Sequence, residues 1–158
     1  MHDITLFVRG AVREVFSTMA SIDITCNEEF PEIATPPFTA DGIVGSVSVT
    51  GKLNGVVYLV FSENLVKKVC NSILGDDPAR SSQEENDVIG EFTNMVTGNL
   101  KSKMADKGFN CKLSIPTVLR GNPITIDVAE GNLSLSNQFT VDGTQDVIST
   151  LVFAKLDE

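Results

Sequence analysis

Glu91 and Asn94 stand three residues apart in Asp87-Val-Ile-Gly-Glu91-Phe-Thr-Asn94-Met-Val-Thr-Gly98-Asn99. At roughly 100° per residue this stretch reads as the first half of a long helix. Val88, Ile89, Phe92, Met95, Val96 and Leu100 gather on one side. Asp87, Glu91, Asn94, Gly98 and Lys101 gather on the other. A carboxylate and a carboxamide are thus held one turn apart on a rigid element, facing away from the core. Such a pair is two positioned polar groups on a rigid element, which catalysis needs and packing does not.

The competing reading is a solvated helix face, and three residues weigh against it. Asn is a mediocre helix former, yet Asn94 lies in mid-helix. Gly98, on the same side, costs about 1 kcal/mol against Ala. Asn99 adds another weak helix former beside it. A helix that accepts these costs on one face is best understood as a docking surface. Crowding against another helix is the alternative for Gly98, and simple solvent exposure for Asn99.

The rest of the composition narrows the chemistry. The only histidine is His2, which removes Ser-His-Asp triads, Cys-His pairs and multi-His metal sites. Cys26, Cys70 and Cys111 are odd in number and widely spaced, which fits small thiols in a reducing cytosol, not a zinc site or a disulfide framework. A Gly-rich phosphate loop ending in Lys and Ser or Thr is absent. The net charge of -9 argues against nucleic acid and against an anionic membrane surface. No apolar run is long enough to span a bilayer. The first ten residues carry an acid and an interrupted apolar pattern, and read as mature sequence in place of a signal peptide. Chemistry here must run on carboxylates, amides, hydroxyls and lysines, or on groups that a partner supplies.

The elements that must position the pair follow from periodicity. Ile4–Ala20 has helical spacing, and Ile22–Cys26 reads as a short strand. Glu28–Phe38, with three prolines, reads as irregular. Ile43–Thr50 and Val56–Phe61 read as a hairpin around Gly51–Gly55. Ser62 is the expected N-cap of a helix over Glu63–Leu74, stopped by Gly75. Ser82 with Glu85 suggests a capping box, opening a helix that runs to about Asp106. Strands are expected at Cys111–Pro116 or just beyond, and at Ile124–Val128, Leu133–Val141 and Asp146–Leu156. The two halves share a pattern of helix, alternating strand, turn and strand. The expected architecture is a single two-layer α/β (α+β) domain over residues 1–158, with an antiparallel-rich mixed β-sheet, helices on one face and a weak internal pseudo-repeat.

Glu91-x-x-Asn94-Met-x-x-Gly98 resembles the signature helix of the CheC/CheX/FliY family of chemotaxis phosphatases. That pattern also carries an Asp or Ser four residues before the Glu, matched by Asp87, and a proline about two dozen residues downstream, matched approximately by Pro116. CheC-like members resemble a protein with two such helices. Here the first helix has Glu14-Val-Phe-Ser17, with Ser where the amide would stand, so the single site looks more like CheX. The short stretch after Leu156 leaves no room for the extra domain expected in FliY-like proteins.

The resemblance implies a cytoplasmic phosphatase acting on the aspartyl phosphate of a CheY-type response regulator. It implies that Asn94 places the attacking water and that Glu91 accepts from a lysine of the partner. Asp87 and Gly98 would then tune docking and provide clearance, with Asn99 at the rim. No metal is expected on this chain, since the Mg2+ would belong to the regulator. A homodimer is implied as well, for which the alternating strands near the C-terminus could supply an edge. Two other readings use the same helix: a module that binds a regulator without turnover, and a dimeric structural domain.

Overall fold

The computed structural model describes residues 2–27, 32–33, 37–127, 133–144 and 146–156. Among the described residues three helices lie over one eight-stranded sheet. Helix α1 (His2–Ala20) buries Val8, Ala11, Val12, Val15 and Phe16, a stripe set by the 3.6-residue period. It ends at Ser21, whose φ of 52° turns the chain so that Ile22 N–H reaches Phe16 C=O at 3.0 Å. Helix α2 (Glu63–Leu74) is capped as its sequence suggests: Ser62 Oγ accepts from Leu65 N–H at 3.1 Å, and Gly75 closes the far end at φ 88°. Helix α3 (Ser82–Asp106) carries Glu91 and Asn94. Its cap is Ser81, which accepts from Glu84 N–H at 3.2 Å, so the capping serine lies one residue earlier than the Ser82–Glu85 pair suggests. Two serines in succession, followed by two glutamates, leave the sequence ambiguous by one position.

The strands are β1 (Ile24–Cys26), β2 (Glu32–Ile33), β3 (Phe38–Gly51), β4 (Leu53–Phe61), β5 (Cys111–Leu113), β6 (Thr117–Ile126), β7 (Leu133–Val141) and β8 (Val147–Leu156). Their order is β1-β7-β8-β4-β3-β5, with β2 also beside β7 and β6 also beside β3, and every pairing is antiparallel. The pattern is a swap between two halves. β1 and β2 of the first half flank β7 of the second, whereas β5 and β6 of the second flank β3 of the first. β4 and β8 meet at the centre, with Val57 opposite Val152. The repeat suspected from the pattern of hairpins is therefore a topological one.

Several strand expectations change: β4 begins at Leu53, within the expected turn Gly51–Gly55, because Leu53–Gly55 pairs with the end of β8. β3 is five residues longer at its start than the alternating run, because Phe38–Ile43 pairs with the far part of β6. β6 spans Thr117–Ile126, most of it outside the expected strands, because an exposed polar strand carrying Arg120-Gly-Asn-Pro has no apolar alternation to read. Within Glu28–Phe38, Glu32 and Ile33 form β2 and Phe38 opens β3, while residues 28–31 and 34–36 lie outside the described residues, as does Val128. The suggestion of a dimer edge near the C-terminus also needs correction. β8 lies between β7 and β4, and β7 is covered by β1 and β2. Among the described residues the long strand with one side unpaired is β6.

The core lies between helices and sheet. Phe16 of α1, Phe61 of β4 and Phe92 of α3 form one aromatic cluster, with Phe16 and Phe92 edge to face at 4.7 Å between centroids and Phe61 and Phe92 at 5.9 Å. Each such pair adds about 0.5–1.5 kcal/mol beyond the area it buries. At the other end, Asp146 ties the start of β8 to α2 through Lys68 Nζ and Asn64 Nδ2, the latter at 3.0 Å. The Lys68 hydrogen bond, followed by that of Asn64, holds the Asp146 carboxyl below its ordinary range.

Candidate functional site

The placement of α3 begins beneath it. Gly45 of β3 lies under Thr93, and a Cβ there would stand 1.9 Å from Thr93 Oγ1. Only glycine lets the helix sit this close to the sheet. Thr93 and Thr97 are buried polar residues on the inner face, and their hydroxyls donate back along the helix, to Ile89 C=O at 2.7 Å and Thr93 C=O at 2.9 Å. Their desolvation is thus offset within one turn. Ile89, Phe92, Val96, Leu100 and Met104 complete the buried stripe.

The first turn of α3 is held from the side. Arg120 of β6 donates through Nε to Asn86 Oδ1 at 2.6 Å and through NH2 to Glu85 Oε1 at 3.3 Å and Ser82 C=O at 3.4 Å. Pro116 reaches the helix at Gly90, where a Cβ would find the proline ring Cγ at 3.8 Å and Val118 Cγ2 at 3.6 Å. Gly90 is four residues before Asn94, so Pro116 borders the side of the helix on which Asn94 projects. Arg120 was invisible to sequence reasoning because its partners lie more than thirty positions away on another layer.

Sheet, aromatic cluster and Arg120 together fix the outer face. Asp87, Glu91 and Asn94 are all exposed there. Asp87 accepts from Gln83 Nε2 at 2.8 Å, one turn nearer the N-terminus. Among the described residues neither the Glu91 carboxylate nor the Asn94 carboxamide has a hydrogen-bond partner. They are three residues apart on one helix and free to engage something from outside. Gly98 is half-buried, and a Cβ there would meet nothing within 4 Å, so helix crowding does not explain this glycine.

Asn99 departs from the rim position expected of it. It turns toward α1, where its Nδ2 donates to Glu14 Oε2 at 2.8 Å, and its Oδ1 is buried. Lys103 lies 4.0 Å from the same carboxylate, in the space above Gly10. The rotation is geometric: Asn99 is eight residues past Glu91, which carries it some 80° round the helix toward α1. Glu14 and Ser17, the first-half counterparts of Glu91 and Asn94, are exposed, but Glu14 is engaged by α3.

Nothing on this face gathers metal ligands: among the described residues no group of three His, Cys, Asp or Glu is placed to hold an ion. No helix among them is long and apolar enough to cross a membrane.

The curled antiparallel sheet with its covering helices is a fold found among solved CheX and CheC-like chemotaxis proteins. Residues 43–140 match the family model of the chemotaxis phosphatase CheX, and the chain belongs to that family. Solved structures agree in fold. CheX from Desulfovibrio desulfuricans is 23% identical with a TM-score of 0.87, over 97% of this chain and 99% of that one. A chemotactic CheC-like protein from Shewanella oneidensis is 25% identical, with a TM-score of 0.83 over 97% and 98%. CheX of Borrelia burgdorferi, solved as a complex with CheY, BeF3 and Mg2+, is 15% identical, with a TM-score of 0.74 over 98% and 99%. A comparison with curated proteins gave no match.

Proposed function

We propose that this protein hydrolyses the aspartyl phosphate of a CheY-type response regulator. The observation that carries the proposal is the pairing of Glu91 and Asn94, exposed and unpartnered, on a helix whose other face is fixed by the sheet. An acyl phosphate is already activated, and the regulator's own Mg2+ neutralises its charge. What remains is to hold a water in line with the phosphorus. Asn94 does this by accepting from the water through its C=O while its NH2 donates to a neighbouring oxygen. Fixing the nucleophile in this way removes the entropy of finding it. Glu91, one turn earlier, accepts from a lysine of the regulator and sets the register. Asp87 acts at the edge of the contact and Gly98 gives clearance. Family membership and the CheY complex of a relative with the same fold support the choice of partner.

Charge adds a condition. The chain carries a net charge of -9, so the regulator must present basic residues to the α3 face, and encounter is fastest at low ionic strength.

The test is phosphate release from a panel of phosphorylated regulators from the same cell. Asn94→Ala is expected to lower the catalysed rate about 100-fold, the loss typical of one positioned polar group in a transition state. Glu91→Ala is expected to weaken saturation by the regulator. Unchanged rates in both variants would refute the assignment. Binding that depends on Glu91 without any gain in phosphate release would make the protein a binding module instead.

A further inference from the structure

Beside Glu91 the surface has an apolar depression of about 220 Å³, between the C-terminal ends of α1 and α2 and the first half of α3. Met19, Ile73, Leu74, Val88 and Phe92 line it, and among the described residues its polar ones are Asp87 and Glu91. Met19 is 36% exposed and Leu74 56% exposed, so the two adjoin as open apolar surface at the depression. By helical angle Glu91 lies between this depression and Asn94: Val88 and Phe92 point to one side of it, Asn94 to the other. The depression is therefore continuous with the face that carries the carboxylate–amide pair.

We infer that the depression is the anchor pocket for the phosphorylated regulator, taking one aliphatic or aromatic side chain of the receiver domain that is flanked by a basic residue. The proposal rests on the reading of the α3 face as the receiver-docking surface and adds to it the source of affinity. Charge complementarity selects the occupant. Among the described residues the charged groups at the pocket are Asp87 and Glu91, both anionic, so an apolar side chain next to a lysine fits and one next to an acid is rejected. The size suits a single large side chain. Glu91 thereby sits at the junction, with its carboxylate on the partner's cation and its neighbours Val88 and Phe92 in the apolar contact. Chemistry and affinity are separable: Asn94 acts on the water, and the pocket holds the partner. An apolar anchor enclosed by polar rim contacts is the common arrangement of energetic centres in protein interfaces. Burying one side chain of this size is worth roughly ten- to a hundredfold in affinity.

The experiment compares the wild type with Met19→Gln/Leu74→Gln, which keeps size and charge but removes the apolar surface from two exposed positions. Phe109→Gln is the control, since Phe109 is also exposed, 41%, but lies beyond the far end of α3. Binding of a beryllofluoride-loaded CheY-type receiver domain is measured by titration, and phosphate release from the phosphorylated receiver is measured in parallel. The double variant is expected to raise Kd and KM at least tenfold with kcat within about twofold, whereas Phe109→Gln changes neither. Met19→Leu/Leu74→Met is expected to restore binding. Asn94→Ala shows the opposite split, losing kcat while Kd holds. An unchanged Kd in the double variant, with wild-type binding and turnover intact, overturns the anchor pocket and leaves the phosphatase assignment standing. Absence of accelerated release by the wild type on every receiver overturns the phosphatase assignment itself. Loss of self-association, seen by sedimentation, in place of lost receiver binding would give the pocket to a second copy of this chain and overturn the inference.

Discussion

Replacing Gly45 with alanine should be among the most damaging single-methyl changes in the protein, although Gly45 lies on the sheet and not on α3, the helix that bears Glu91 and Asn94. The added Cβ would stand 1.9 Å from Thr93 Oγ1, 3.0 Å from Thr93 Cβ and 3.3 Å from Thr93 Cγ2. Ordinary contact begins near 3.4 Å, so about 1.5 Å must be found. Thr93 cannot swing away easily, because its hydroxyl is buried and bonded to Ile89 C=O at 2.7 Å. The helix must lift or its threonine must take a poor rotamer, and overpacking of this kind costs about 1–3 kcal/mol. Thr93→Ala removes Oγ1 and Cγ2 and leaves only the 3.0 Å contact, which needs a few tenths of an ångström. Alone, Thr93→Ala should cost about 1 kcal/mol for its methyl and hydroxyl. The double variant should then be more stable than the sum of the two singles by at least about 1 kcal/mol. Urea denaturation of the four proteins, with equal slopes, measures the cycle. Phosphate release should fall in Gly45→Ala even where it remains folded, since a shift of about 1 Å in a positioned group can cost 100-fold. A Gly45→Ala variant as stable as the wild type, or strictly additive effects, would refute the idea that this glycine sets the height of α3.

Other outcomes follow from contacts away from the pair. Asp146 has a depressed folded-state pKa because of Lys68 and Asn64, so its contribution is present above the unfolded carboxylate pKa and is lost as pH falls through the folded value. Asp146→Asn should therefore lower stability by on the order of 1 kcal/mol at pH 7 and make little difference in acid, as read by denaturation midpoints across pH. Asn99→Asp places a second carboxylate against Glu14, and should destabilise by about 1 kcal/mol at low ionic strength, with the deficit shrinking in added salt while kcat is retained. Burial pushes the Cys70 and Cys111 thiols up, so mass spectrometry after brief treatment of the native protein with a thiol reagent should find Cys26, which is half-buried, modified first. Simultaneous modification of all three before unfolding would contradict the burial of Cys70.

The outward face of α3 was legible because helical period and residue type agree along it: the apolar stripe fixes which side is inside, and Glu91 and Asn94 fall on the other. The caps were nearly legible for the same reason, with Ser62 correct and Ser81 displaced by one among adjacent serines. What sequence could not convey is long-range. The Gly45–Thr93 approach joins positions 48 apart, and glycine in a strand looks the same whether it admits a helix or weakens a sheet. Thr93 and Thr97 look polar but are buried, because hydroxyls can be satisfied within their own helix. Asn99 shares the polar character of Asn94, yet the rotation of the helix aims it at Glu14. Most of β6 escaped notice, with only its end read as a strand, since an exposed strand at a sheet margin needs no alternation. The apolar pocket draws on three helices, and its members look like ordinary core residues one at a time.

The exchange of flanking strands between the halves bears on how such a chain divides its labour. Each half completes the other's longest hairpin, so neither is a free-standing unit, and both must persist for the sheet to close. α1, by contrast, needs only its inward stripe to serve as a lid over that sheet. Its outward row carries Glu14 and Ser17 where α3 carries Glu91 and Asn94, and Glu14 braces the neighbouring helix by accepting from Asn99. One molecule thereby keeps a paired scaffold whose exposed carboxylate–amide pair stands on α3.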